Sequence, residues 1–248
     1  MKISVTKINT FTDCPRKYWY SYEQFIETPK SVGFYFGSAI HSGLENYYTG
    51  LDPMDGVREA LFGEKKSVKE FAKEGIDLLK LEAEAQRIFD LYKDKAPHFE
   101  PILIEHFFEV PLTHPETKET LPATLTGKID LITGEGVLID HKTASGSDTG
   151  FFKAKNTIQA NGYAYAYWQK FGKLPQYFMF NTIIKGNSRR EPRFEQKIMR
   201  PTIGDLCYFF DVCKEIVGSL VRRETRDYYN RSSCRFCPYK SICQYVKK

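Results

Sequence analysis

The stretch Leu125-Thr-Gly-Lys-Ile-Asp130-Leu-Ile-Thr-Gly-Glu135-Gly-Val-Leu-Ile-Asp140-His-Lys142-Thr143 decides the architecture. Two runs rich in β-branched and aliphatic residues meet at Gly134-Glu135-Gly136, which predicts a β-hairpin. Pairing Ile132 with Leu138 sets Asp130 directly opposite Asp140 on one face, with Cβ atoms roughly 5 Å apart. Lys142, two residues beyond Asp140, projects to that face as well. Carboxylates facing each other repel by about 4 kcal/mol at 4 Å and an effective dielectric of about 20, so the pairing needs a compensating charge. A hard divalent cation with oxygen ligands supplies one, and Lys142 supplies another. The competing reading is a polar hairpin tip with Lys142 in weak surface pairs. Leu125, Ile129, Leu131, Val137 and Ile139 make both arms strongly apolar, which brings the charges nearer the interior and favours the cation site.

Working outward, the period of the apolar residues changes along the chain. A helical stretch at the N-terminus breaks near Pro15, a second helix runs through Phe36 to Tyr48, and residues 54–95 read as two helices separated near Gly63 to Ser67. Strand-like runs follow at Ile102–Val110, Thr124–Ile132, Val137–Thr143, Tyr177–Ile184 and Arg193–Met199, with helices at about 156–171 and 202–224. This order predicts an α/β fold, a sheet flanked by helices. The 248 residues carry 42% hydrophobic content and no linker-like tract, so one domain over 1–248 with a helical insertion at about 54–95 is expected.

Four cysteines lie at opposite ends of the chain, Cys14 and the run Cys234, Cys237 and Cys243. A C-x2-C-x5-C segment plus one distant thiolate can enclose one soft metal centre, with cluster-binding segments at about 14–20 and 231–245. Such a centre removes about 5 kcal/mol of loop entropy from the unfolded chain, if the disulfide relation carries over. Disulfides need an oxidising compartment, whereas the start Met-Lys-Ile-Ser-Val-Thr-Lys has no signal-peptide run and no stretch is long enough to cross a membrane, so a cytoplasmic setting is expected. Spacing alone fits zinc as well as a [4Fe-4S] cluster. Cys207 and Cys213 lie in an apolar stretch and read as buried thiols.

Other residues fit the hairpin chemistry. Gly37, His41 and Glu45 share a helix face, and His41 offers a nitrogen ligand or is an ordinary packed histidine. Gln159 and Tyr163 share another face, suited to phosphate, to Lys142, or to the core. The net charge of +5 permits nucleic acid without demanding it. Lys185, Arg189, Arg190, Arg193, Lys197 and Arg200, and Arg222, Arg223, Arg226 and Arg231, form two basic segments that read equally as phosphate contacts or solvated faces.

The ordered set of Cys14, G-x-x-x-H at 37–41, G-x-x-D at 127–130, D-x-K at 140–142, Q-x-x-x-Y at 159–163 and the last three cysteines resembles the RecB-like branch of the PD-(D/E)xK nuclease superfamily. Its iron-sulfur nucleases, the CRISPR-associated exonucleases and the AddB nuclease domain, are the nearest subgroup. The resemblance spans residues 14–243, and its specificity lies in the order of the motifs. It implies a restriction-endonuclease-like mixed sheet flanked by helices, and a Mg²⁺- or Mn²⁺-dependent nuclease acting on DNA, an exonuclease that favours single strands. His41, Asp130, Asp140 and the main-chain carbonyl of His141 would hold the cation, Lys142 would serve the attacking water and the phosphorus charge, and Gln159 and Tyr163 would support them. Cys14, Cys234, Cys237 and Cys243 would hold a [4Fe-4S] cluster, with zinc as the alternative. Ile129 stands where the family name has proline, and Asp140 where many members have glutamate. A catalytically silent, metal-stapled DNA-binding subunit and an RNA-directed enzyme are the competing functions. A protein partner in recombination or CRISPR adaptation, polarity and oligomeric state are left open.

Overall fold

The computed structural model describes residues 1–63, 71–72, 74–144, 154–186, 190–225 and 228–245, excepting the side chains of 154–156 and 236. In chain order the elements are β1 (Lys2–Ser4), α1 (Val5–Asp13), α2 (Pro15–Tyr18), a π-helical turn (Trp19–Glu23), α3 (Val32–Thr49), α4 (Pro53–Phe62) and α5 (Leu78–Lys95). Then come β2 (Pro101–Thr113), β3 (Thr120–Thr133), β4 (Val137–Ala144), α6 (Ala154–Phe171), β5 (Tyr177–Ile184), β6 (Arg193–Met199), α7 (Ile203–Arg222) and a 3-10 turn (Arg231–Phe236). Most of the break expected at Gly63 to Ser67 lies outside the described residues, as do Arg189 and Arg226.

Among the described residues, six strands form one mixed sheet in which β1, β3, β4, β5 and β6 are successive neighbours and β2 also pairs with β3. β2–β3, β3–β4 and β5–β6 are antiparallel, while β1–β3 and β4–β5 are parallel. The sequence pattern misses only β1. A three-residue strand is too short to show a period, and it exists because it adds onto Thr124–Thr126.

Helices cover both faces of this sheet. Ile8, Leu138, Ala164, Phe178, Phe180 and Phe209 belong to the core beneath α1, α6 and α7. Phe36, Ile40, Val57, Phe89, Tyr92 and Ile183 belong to the core formed by α3, α4 and α5. Alternate residues of β5 therefore enter different cores, as the period of a strand requires. Helix starts follow their caps: Ser31, Asp52 and Asp77 accept backbone N–H bonds, Pro53 occupies the first turn of α4, and Thr202 with Asp205 forms a capping box.

The hairpin pairs Leu131 with Ile139 and Ile132 with Leu138, the register implied by the sequence. Its turn closes through Gly136 N–H to Thr133 O at 3.0 Å, with Gly136 at φ +82°. That left-handed angle strains any residue with a Cβ, and a Cβ here would also lie 2.7 Å from the Tyr167 hydroxyl.

Candidate active site

The next pair in the hairpin register is Asp130 and Asp140, and there the ladder between β3 and β4 stops. The carboxylate of Asp130 replaces it, accepting the His141 backbone N–H at 2.7 Å. β4 continues along β5 to Ala144 and β3 continues along β2, so a fork opens between them with both aspartates at its apex. Asp130 is 8% exposed and Asp140 2%.

Each carboxylate has its own partners. Asp140 pairs with Lys142 and accepts Gln159 Nε2–H at 2.8 Å. Gln159 also donates to the Tyr163 hydroxyl at 3.3 Å, and the Tyr163 ring meets Phe108 edge to face at 5.9 Å. Phe108 lies across the sheet from Gly127, where a Cβ would stand 2.5 Å from its ring. Gly127 is thus glycine because Phe108 occupies its side-chain space, and Phe108 in turn backs Tyr163. His41 Nδ1 reaches Asp130 Oδ2 at 3.5 Å from the other layer of helices. A Cβ on Gly37 would be 3.5 Å from Thr143 Oγ1, so α3 crosses close to β4 one turn before His41. The His141 ring is turned away into a buried network, its Nδ1 3.1 Å from Asn181 Nδ2 and its plane stacked on Tyr48. Its backbone stays at the fork.

Glu105 is a site residue that the sequence reading missed. Ligand atoms of His41, Glu105 and Asp130 all lie within 4.8 Å of one another. The register Ile104–Leu131 and His106–Ile129 sets Glu105 across from Asp130, and its side chain is only 12% exposed while pairing with Lys128. Its φ of +49° is rare for a residue with a side chain. The strand alternation slips at this pair: Ile132 and Ile129 both join the core beneath α6, with Leu131 in a separate cluster. A regular strand would send positions 132 and 129 to opposite faces. One glutamate interrupting the aliphatic run Ile102-Leu-Ile was the available signal.

The electrostatics suit a hard cation. Burial pushes the Asp130 carboxyl up to about 7, and the Asp140 charge adds to this, against the opposing pull of His41, Lys142 and the His141 N–H. Burial also raises the Tyr163 phenol, with Asp140 second, and lowers His141, with His41 and Lys142 second. Tyr163 and His141 are therefore neutral. A carboxylate held above its usual range by a neighbouring carboxylate is relieved when a divalent ion binds. Two carboxylates and an imidazole within reach of one point fit such an ion. Asp140 stands outside this group of three, engaged by Lys142 and Gln159.

The four cysteines gather in a cavity that none of the fork residues lines. Cys14, Cys234, Cys237 and Cys243 line one cavity together with Arg16 and Tyr20. Asn230 N–H points at Cys14 Sγ at 3.4 Å, and the Arg16 side chain, 8% exposed, has its guanidinium 4.3 Å from the Trp19 ring. Convergent thiols, an N–H directed at sulfur and a buried cation fit an anionic thiolate centre. Cys207 and Cys213 lie elsewhere, Cys213 in the core beneath α6 and α7 with its thiol pushed up by burial.

Of the basic segments, Lys185 is committed to Glu84 at 3.1 Å and to the Phe36 ring, Arg193 to Glu195 at 3.1 Å, and Arg222 to Glu224 at 2.8 Å. These three side chains are engaged within the chain. Among the described residues, no helix is long and apolar enough to cross a membrane.

A family model described as the PD-(D/E)XK nuclease superfamily matches residues 2–244. A crystal structure described as "Putative exonuclease" from Eubacterium rectale superimposes with a TM-score of 0.60 at 13% identity, covering 99% of this chain and 87% of that one. The crystal structure of SSO0001 gives a TM-score of 0.50 at 13% identity, covering 99% and 86%. At such identities the two share the fold with this chain. No curated protein matches the sequence significantly.

Proposed function

The chain belongs to the PD-(D/E)XK nuclease superfamily, and from that premise we propose that it is a cytoplasmic, Mg²⁺- or Mn²⁺-dependent deoxyribonuclease of the RecB-like iron-sulfur type, an exonuclease favouring single-stranded ends. The observation that carries this reading is the fork, where Asp130, Asp140 and Lys142 converge with His41 and Glu105.

His41, Glu105 and Asp130 would hold the cation, with Asp140 and the His141 carbonyl beside it. When bound, such an ion supplies Lewis acidity to the scissile phosphate and to the attacking water. The chain's own groups do the rest. Gln159 and Lys142 fix Asp140, and the Lys142 ammonium is thereby held at the site to orient water and offset charge building on phosphorus. Asp130 is fixed by the His141 backbone N–H, a donor that the pairing of β4 with β5 holds in place. Cys14, Cys234, Cys237 and Cys243 would hold a [4Fe-4S] cluster that ties the two ends of the chain together. Six unpaired thiols are consistent with a reducing compartment.

End-labelled single- and double-stranded DNA and RNA, incubated with the protein and Mg²⁺, Mn²⁺ or EDTA, test this directly. Cation-dependent shortening of single-stranded DNA is expected. Binding without cleavage in every cation would point to the silent DNA-binding subunit instead.

A further inference from the structure

The nuclease reading leaves open how a strand reaches the fork, and α3 carries a feature that bears on it. Its Tyr35, Phe36, Ala39, Ile40 and Leu44 are buried in the core shared with α4 and α5. The opposite side forms an accessible stripe of Phe34, Ser38, His41 and Glu45, with Gly37 half-buried beside it. Phe34 and His41 are seven positions apart, two helical turns, so they share a face about 10 Å apart along the axis. Phe34 is 49% exposed. Its ring is braced by Tyr35, edge to face at 5.7 Å, and the Lys30 ammonium lies 4.8 Å from its centroid. Tyr35 is itself set against Phe71 at 5.0 Å, so the exposed ring rests on an ordered base.

We propose that Phe34 is a stacking platform for a base of an unpaired nucleic-acid strand, which feeds the strand along α3 to His41. This rests on the nuclease reading of the fork and assigns a residue to its preference for single strands. A half-exposed aromatic ring suits unstacked bases, every one of which has a π-face, whereas a duplex leaves open only the outer face of its terminal pair. A protein partner would find a single apolar ring next to a cation on this face. A strand finds a ring and the reaction site on one helix face. Gly37 adds no side chain between them, and a Cβ placed there would touch only Thr143 Oγ1 within 4 Å.

The experiment uses the full chain in EDTA, with a fluorescently labelled single-stranded oligonucleotide carrying 2-aminopurine near its end, and a blunt duplex of the same sequence. Phe34→Ala should weaken single-strand binding roughly tenfold, in line with loss of one stacking contact, and abolish the quenching of 2-aminopurine. Phe34→Trp should restore both, and duplex binding should be unchanged. The inference is overturned if Phe34→Ala, with an unaltered melting temperature, binds and quenches as the wild type does. Adding Mg²⁺ separates the two levels. If all Phe34 variants degrade single strands as the wild type does and Asp140→Ala is inert, the nuclease reading survives and the platform fails; if the wild type neither binds nor cuts nucleic acid, both fail.

Discussion

The fork and the cysteine cavity are both sets of potential ligands, yet the fold holds them in different ways. At the fork the sheet register places the side chains: β3, β4 and β2 bring Asp130, Asp140 and Glu105 together through backbone pairing. Leu138, Phe178 and Phe180 pack on one side, and Leu131, Ile139 and Met179 on the other. Among the described residues, the buried apolar cluster around the cysteines is Tyr20, Tyr239 and Cys243, with Trp19, Cys237 and Tyr245 packed partly buried against it. The rest is joined by polar contacts across more than 200 residues, such as Ser233 Oγ–H to Asp13 at 2.8 Å and Asn230 Nδ2–H to Asp13 O at 3.0 Å. The fold preorganises the first centre at an electrostatic cost. A bound metal at the second would organise the fold.

The sharpest way to break this contrast is to remove single groups at the fork. Asp130→Ala, Asp140→Ala and Lys142→Ala should each reduce cleavage at least about a hundredfold while leaving the sheet intact. Gel-based cleavage assays paired with circular dichroism check both halves. Retained cutting by all three would sink the assignment of the site.

The cysteine side should respond in the opposite sense. Cys234→Ala should cost on the order of 2–5 kcal/mol of stability, if closing the chain ends resembles closing a long disulfide loop. For a chain of this size that lowers the melting temperature by roughly 2–4 °C per kcal/mol. Thermal unfolding and limited proteolysis at the two termini measure the loss, and iron, sulfide and zinc analysis of the purified protein identifies the metal. Zinc without iron would refute the iron-sulfur assignment and leave the nuclease reading untouched.

Glu105 tests whether the fork is wider than its sequence motifs. Glu105→Gln keeps the shape and removes a charge, and should raise the Mn²⁺ concentration needed for half-maximal cleavage by about 10- to 100-fold, the scale of a lost supporting group at a metal site. An unchanged cation requirement would confine Glu105 to its pairing with Lys128.

These two regions also differ in how far the sequence exposes them. The Asp130–Asp140 pairing was legible because a Gly134-Glu-Gly136 turn and two aliphatic arms leave one plausible register. The elements carrying His41, Gln159 and Tyr163 were legible from helical spacing, although their convergence on the fork was not a property of any one segment. Glu105 was hidden because its place depends on β2 joining β3 and on a left-handed backbone angle, and a strand pattern encodes neither. Gly127 looked like part of a motif, and the Phe108 ring across the strand is what requires it. The two readings of the basic segments could not be separated in the sequence, since composition does not reveal that Glu84, Glu195 and Glu224 take up Lys185, Arg193 and Arg222.

The smallest expected effect bears on the electrostatic cost of the fork. In the ion-free protein, burial and the Asp140 charge raise the Asp130 carboxyl from 3.8 to about 7. Between those values the folded state holds a proton that the unfolded chain releases, so stability falls as pH rises through that window. The stability contributed by this group is complete below the unfolded value and lost above the folded one. In EDTA, the melting temperature of the wild type should therefore drop by a few degrees more between pH 5 and 8, by order of magnitude, than that of Asp130→Asn, which cannot titrate there. Mg²⁺ should act oppositely, since it competes with the proton and stabilises whichever state binds it, so its effect should grow with pH in the wild type and be nearly absent in Asp130→Asn. Parallel curves for the two proteins in EDTA would mean that the fork carries no such cost, and that its aspartates are better shielded from each other than their burial implies.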